Sequence, residues 1–444
     1  MEHIIKEHIE SKNYAAIKAE LADMQPVDIA ELLEELDTKH SLLVFRMLHK
    51  DTAVEVFSHL SVKQQTNFSL MIKEEELKEI LEELYFDDMI DYLEEMPSSV
   101  VKKILKYSTE TERKLINQFL HYPEDSAGSL MTIEFVDLKK ELTVEEAIKR
   151  IRRTATDKET IYTCYVINKN RTLEGIVTLK ELVLAQPDML VEEIMETDAI
   201  HVGTLDDREE VANVFKKYDL LSVPVVDQEE KLVGIITVDD IMDVVEEETT
   251  EDIQIMNALT PSEDEYLKTS IFSLAKQRIF WLLFLMLSAT LTGSIIEGFQ
   301  SSLDKVIGLS VFIPMLMGTG GNAGAQASTL VIRGLALGEV ELGDVLKVIW
   351  RELRISFFVG GTLAVVNFLR VYFISGYSFT ISLIVSLTLI ITVCLAKIIG
   401  GTLPIIAKAV KLDPAIMASP VLSTMVDALS LLSYFKIASW IMNL

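Results

Sequence analysis

Cysteine is nearly absent from this sequence. Its two cysteines, Cys164 and Cys394, lie far apart and form no metal or redox spacing, so no disulfide framework is implied. Positive charge is scarce as well. Against 41 Lys and Arg stand 68 Asp and Glu, a net charge of -27. Such a chain should repel nucleic acid, because duplex affinity comes from Lys and Arg set against phosphate. None of the seven histidines has metal or triad spacing and no nucleophile motif appears, so an enzyme is not expected. The N-terminus "MEHIIKEHIESKNY" lacks an apolar core of the signal-peptide kind. The soluble part is therefore expected in the cytoplasm.

What is present divides in two. From Ile279 onward there are 8 acidic and 10 basic residues in a strongly apolar block, whereas the preceding part carries 60 acidic and 31 basic. Acidic excess commonly serves solubility. It can also attract cations.

Residues 1–128 read as an acidic helical domain. "PVDIAELLEELD", "KDTAVEVFSHLS", "EEELKEILEELYFDDMIDYLEEMP" and "SSVVKKILKY" place apolar residues three and four apart, the signature of short amphipathic helices. Loosely repeated, they suggest a superhelical array. The character then changes. "YTCYVINKNRTLEGIVTLKELV" (162–183) is echoed by "LSVPVVDQEEKLVGIITVDDIM" (221–242), with Gly175 over Gly234, Thr178 over Thr237 and Leu182 over Ile241. Each copy reads as strand, polar turn, strand and helix, with the threonine as N-cap. "VPVVDQEEKLVGIITVDDI" resembles the CBS domain, and the resemblance implies a tandem α/β pair over 129–192 and 193–245. It also implies a regulatory module that often binds adenine nucleotides or metal ions. Residues 246–278 should be a charged connecting helix, broken near Thr260-Pro261 and ending in Lys276 and Arg278.

Residues 279–444 hold five candidate membrane spans, at about 279–299, 306–332, 349–373, 380–407 and 416–442, each near the twenty residues a bilayer requires. Basic residues (Lys276, Arg278, Arg333, Lys347, Arg351, Arg354, Lys408, Lys411) gather at alternate connections. By the positive-inside rule the N-terminus is cytoplasmic and the C-terminus outside.

Two of these spans carry unusual residues. The second reads "IPMLMGTGGNAGAQAS", where Pro314 and four glycines should kink and weaken a helix. Gly320 and Gly324 form a GxxxG spacing that reads as close helix packing. Asn322 and Gln326 among them favour a cavity-lining role. The fifth, "LDPAIMASPVLSTMVDALS", places Asp427 at membrane depth, at a cost of about 2.5–3.5 kcal/mol on insertion scales. Ser423, four residues earlier, shares its face. The plainer reading is a structural aspartate paired with Lys397 or Lys436.

"PMLMGTGGNAGAQ", "GGTLP" and "DPAIMASPVLSTMVD", in this order behind a helical domain and a CBS pair, resemble the MgtE family of magnesium channels over essentially the whole chain. The resemblance implies a multidomain membrane protein. It would have a superhelical α-helical N domain, an α/β CBS pair and an all-α five-span pore domain, assembled as a homodimer with the pore on its twofold axis. The residues themselves supply Asn322 and Gln326 as cavity-lining groups, Thr424 near Asp427, and backbone carbonyls near Ala418 and Ser419 that could accept hydrogen bonds from a hydrated ion. By the resemblance, Asp427 would form the ion-selecting site. Asp87, Asp91, Glu209, Asp219, Asp240, Asp243, Glu248, Glu251 and Asp252 would bind cytoplasmic Mg²⁺ as a feedback sensor. Independently of the family, Mg²⁺ is a hard ion that keeps several waters and takes oxygen ligands, and carboxylate rings favour cations.

The expected function is Mg²⁺ influx gated by internal Mg²⁺. One alternative is a Mn²⁺ or Co²⁺ transporter controlled by ATP or a related nucleotide at the CBS pair. Another is a non-transporting membrane sensor. Mg²⁺, the bilayer, a second copy of the chain and an adenine nucleotide are the expected partners.

Overall fold

A computed structural model describes residues 2–262, 266–267, 269–300, 306–417 and 420–442. The chain forms two compact units, one ending at Val245 and the other beginning at Glu246.

The first unit opens with ten helices of eight to ten residues, from Glu2–Glu10 to Glu110–Phe119. None is long enough to be stable alone. Each survives by burying one apolar stripe, and these stripes converge on Phe45, Phe57, Phe68 and Tyr92, whose rings meet edge to face. Two three-stranded sheets follow. The first comprises β1 (Val136–Leu138), β2 (Thr163–Ile167) and β3 (Leu173–Thr178), in that order. The second comprises β4 (Val202–Gly203), β5 (Ser222–Val226) and β6 (Leu232–Thr237). In both, the first pair is parallel and the second antiparallel.

The internal duplication is visible residue by residue. Gly175 pairs with Val166 and Gly234 with Val225, and each ladder bulges just after that pair. Thr178 caps the next helix in a capping box with Glu181, and Thr237 donates to Asp240 in the same way. Each glycine lies under the lead-in segment of the other copy: a side chain on Gly175 would strike the Glu196 carbonyl, and one on Gly234 that of Thr132. Those segments bridge to the neighbouring strands through Ile176 with Glu196 and Ile235 with Thr132, so neither copy is complete without the other.

Helix Val238–Met256 continues from β6 and ends short of Thr260-Pro261. In the second unit, four segments among the described residues are long and apolar enough to cross a membrane: Ile271–Gly298, Leu342–Ile374, Phe379–Ala409 and Pro414–Met442. A further helix, Ile313–Ala336, is long enough at 24 residues, but its glycines, Asn322 and Gln326 make it less apolar. This helix corrects one expectation. It is continuous, with Pro314 in its first turn, where the missing N–H costs nothing. The glycines are accommodated by packing rather than by breakage.

Candidate functional site

The acidic residues of the first unit do not simply coat its surface. Asp51 and Glu55 come from helix Lys50–Ser58, and Asp87 and Asp88 from the first turn of Phe86–Glu95. Asp239, Asp240 and Asp243 come from the start of Val238–Met256. With Glu83 and Glu159 they line a cavity of about 600 Å³ that has no Lys or Arg in its wall. Asp87 is 8 % exposed, and its Oδ1 accepts the Asp88 N–H at 3.0 Å. Asp240 Oδ2 accepts from the Thr237 hydroxyl at 2.5 Å. Glu159 Oε2 is buried with no hydrogen-bond partner.

Crowding of like charge has the expected electrostatic result. Burial, then the charge of Asp240, raises the Asp87 carboxyl well above the usual range. Burial, then Asp239, lifts Asp88 to about 6. Burial likewise lifts Asp240 to about 6, against the Thr237 hydrogen bond. Glu159 rises to about 8, through burial and then the charges of Asp240 and Asp239. The fold gathers negative charge here and balances little of it: Lys50 pairs with Glu83 at 2.7 Å, and His59 is the one basic side chain that the described lining includes. Apart from His59, the side-chain donors in the lining are oxygens, the chemistry of a hard divalent ion. Among the described residues no three His, Cys, Asp or Glu side chains converge into a ready cage.

Of the residues expected to sense Mg²⁺, the structure brings Asp87, Asp240 and Asp243 to this one cavity. Asp91 lies one turn beyond Asp87 on the same helix, outside the lining. Glu209 lies in the first turn of Arg208–Tyr218, and Asp219 closes that helix in the left-handed region, φ +52°. Glu248, Glu251 and Asp252 continue along Val238–Met256. Sequence reasoning missed Asp51, Glu55, Glu83, Asp88 and Glu159. Asp51 and Glu55 lie four apart on one helix and Asp88 adjoins Asp87, a spacing that could have marked them; Glu83 and Glu159 come from separate segments.

In the second unit, Ile313–Ala336 packs through its small residues. A methyl on Gly320 would stand 2.8 Å from Thr392 Cγ2 and Val426 Cγ1, and one on Gly324 would be 3.2 Å from the Ala396 carbonyl and Leu422. Gly320, Ala323, Gly324, Ala327 and Ser328 are buried on that face. Asn322 and Gln326 stand on the other, exposed in the single chain. Asp427 is half-buried on Pro420–Met442, one turn from Ser423 and beside Thr424. Ala418 and Ser419 lie outside the described residues. Lys397 faces Glu352, Nζ to Oε2 4.0 Å, and among the described residues Asp427 has no basic partner.

Three family descriptions match the chain: the MgtE intracellular N domain over 24–125, the CBS domain over 127–188 and 191–247, and the MgtE divalent cation transporter domain over 313–437. The magnesium transporter MgtE of Thermus thermophilus is 36% identical over 98% of this chain and 97% of its own length. That of Bacillus subtilis is 32% identical over 94% and 92%. Among solved structures, the cytosolic domain of the Mg²⁺ channel MgtE in complex with ATP superposes with a TM-score of 0.53 at 36% identity, covering 55% of this chain and all of that one. The soluble part of a magnesium transporter gives 0.52 at 28% identity, covering 56% and 97%.

Proposed function

Since the chain belongs to the MgtE family of magnesium transporters, which are not enzymes, we propose that it conducts Mg²⁺ inward across the cytoplasmic membrane and that internal Mg²⁺ closes it. The observation that carries the pore reading is Asp427, a carboxylate on a membrane-length helix with no basic partner among the described residues. The salt-bridge alternative would have used Lys397 or Lys436: Lys397 instead faces Glu352, and among the described residues no ion pair joins Lys436 to Asp427. An aspartate in such a segment is costly, and a hydrated cation offsets that cost. Two copies on a twofold axis would supply two carboxylates. Asn322 and Gln326, on the face that the single chain leaves exposed, would then line the path, with Thr424 near the ion. Ala418 and Ser419 are assigned to it from the sequence, as small residues whose backbone carbonyls could accept hydrogen bonds from the hydrated ion.

The sensor is the acidic first unit. Without Mg²⁺ its carboxylates repel, with Asp87, Asp240 and Asp243 at one cavity, Asp91, Glu209 and Asp219 elsewhere in the unit, and Glu248, Glu251 and Asp252 further along the helix Val238–Met256 that leaves it. Mg²⁺ bridging them favours a compact state, and the helix leading to the membrane unit transmits closure. The ion must bind the closed state better for this to work. Lys and Arg at alternate connections support a cytoplasmic N-terminus and an outer C-terminus. A nucleotide-controlled reading is favoured by the relative solved with ATP, and it is compatible with Mg²⁺ gating.

The test is Mg²⁺ influx into liposomes carrying the full chain, with internal Mg²⁺ varied and Asp427→Ala alongside. Influx that falls as internal Mg²⁺ rises and vanishes in the variant supports both parts. A wild type that conducts nothing at low internal Mg²⁺ and with ATP present would overturn the channel in favour of a sensor. Mn²⁺ and Co²⁺ run in competition test selectivity.

A further inference from the structure

Lys397 and Glu352 are 5 % and 7 % exposed in the membrane unit, on helices Phe379–Ala409 and Val345–Leu369. As a source of stability the pair is poor. Its 4.0 Å separation exceeds a hydrogen bond, and Glu352 Oε2 has no other partner. Two apolar side chains of similar size would avoid the desolvation penalty entirely, and buried pairs are best attested as devices that set register.

The surroundings say which register. Phe379–Ala409 is the scaffold against which the other helices pack, and its contacts are small. Gly360 of Val345–Leu369 lies on Ile390, with a methyl there 3.4 Å from Ile390 Cα. Gly401 lies under Val348 and the Glu352 side chain, 3.0 and 3.2 Å from such a methyl. On the opposite side Ala396 and Gly400 support Gly324 of Ile313–Ala336. Small-residue faces of this kind bring backbones close, and an apolar side chain seated in them, such as Val348, resists sliding only through packing. Lys397, between Ala396 and Gly400, adds a charged fixture at that level through Glu352. A slip of one turn, about 5.4 Å, would part it from Glu352 and leave both charges buried alone.

We propose that Lys397 and Glu352 are positioning residues for conduction: they lock the height of Phe379–Ala409 and, through Gly400 and Gly324, the height of Asn322 and Gln326 relative to Asp427. This rests on the pore reading above. It adds residues that touch no ion.

The experiment uses the full chain in liposomes, with flux normalised to folded protein. Glu352→Gln and Lys397→Met each reduce Mg²⁺ influx by about tenfold or more, since small misplacements of positioned groups cost that much. The double variant Lys397→Met/Glu352→Met folds and melts no lower than the wild type, yet its influx stays reduced and its preference for Mg²⁺ over Ca²⁺ narrows. The exchanged pair Lys397→Glu/Glu352→Lys recovers both. A double apolar variant that conducts with wild-type rate and preference overturns the proposal, because the pair is then only filling space. An exchanged pair no better than the double apolar variant overturns it too. Asp427→Ala is measured in parallel. If that variant conducts normally, the pore reading fails, an outcome separate from either of these.

Discussion

Gly400 lies directly against the backbone carbonyl of Gly324, so close that any side chain on Gly400 would collide with it. That contact has no flexible partner able to move aside. Gly400→Val is therefore expected to destabilise the membrane unit by about 1–3 kcal/mol, the usual range for overpacking, and to lower its melting temperature in detergent. Gly361 on the neighbouring helix has nothing within 4 Å. Gly361→Ala should be neutral or stabilising by up to about 1 kcal/mol through helix propensity. Equal effects from the two would mean that the Gly400 contact does not hold the helices together.

The acidic cavity predicts an inverted pH profile. Glu159 titrates at about 8 and Asp88 and Asp240 at about 6 in the folded chain, all above their unfolded values. The folded state thus binds more protons, and stability falls as pH rises from about 4 toward 8. Asp88 alone accounts for a loss on the order of 3 kcal/mol. In EDTA the first unfolding transition of the full chain should move down between pH 5 and pH 8. Mg²⁺ should restore it at pH 8 and change little at pH 5. A transition that rises with pH in EDTA would refute the cavity's electrostatics.

The paired sheets were legible because a duplication repeats its constraints. Gly175 and Gly234 must both admit a crossing backbone, and Thr178 and Thr237 must both start helices, so the two copies annotate each other. The cavity was legible in part where carboxylates recur on one helix face, as with Asp240 and Asp243, although Asp51 and Glu55, four apart on theirs, were missed. Glu159 and Glu83 reach the same space from separate segments, and nothing local marks them beyond the general acidity. Pro314 misled for a related reason. A proline can start a helix or break one, and the difference depends on where the helix begins. Only the packing of Gly320 against Thr392 and Val426 shows why the glycine-rich stretch stays helical.

Neutralising the cavity should stabilise the chain. Asp87 and Asp240 repel each other across it, so Asp87→Asn raises the melting temperature in EDTA, by roughly 1 kcal/mol or more in stability. The same variant should gain less from added Mg²⁺, and its influx should persist at internal Mg²⁺ that silences the wild type. Lower stability in EDTA would show that Asp87 serves the fold through its hydrogen bond to the Asp88 N–H.

Asn322 and Gln326 separate a pore from a packing face. Both are exposed in the single chain, and Gly320, Gly324 and Ser328 occupy the buried side of the same helix. Asn322→Leu and Gln326→Leu should leave folding within about 0.5 kcal/mol, as surface changes usually do, because no packed neighbour is displaced. Ser328→Ala is the matching control, since its buried hydroxyl has no hydrogen-bond partner and its loss should be neutral or stabilising. If the exposed face lines the path of a hydrated ion, the leucine variants lose most of their Mg²⁺ influx while Ser328→Ala keeps it. If that face meets lipid, leucine is the better residue there and influx is unchanged or improved. Flux per folded channel therefore decides which surface the cation follows.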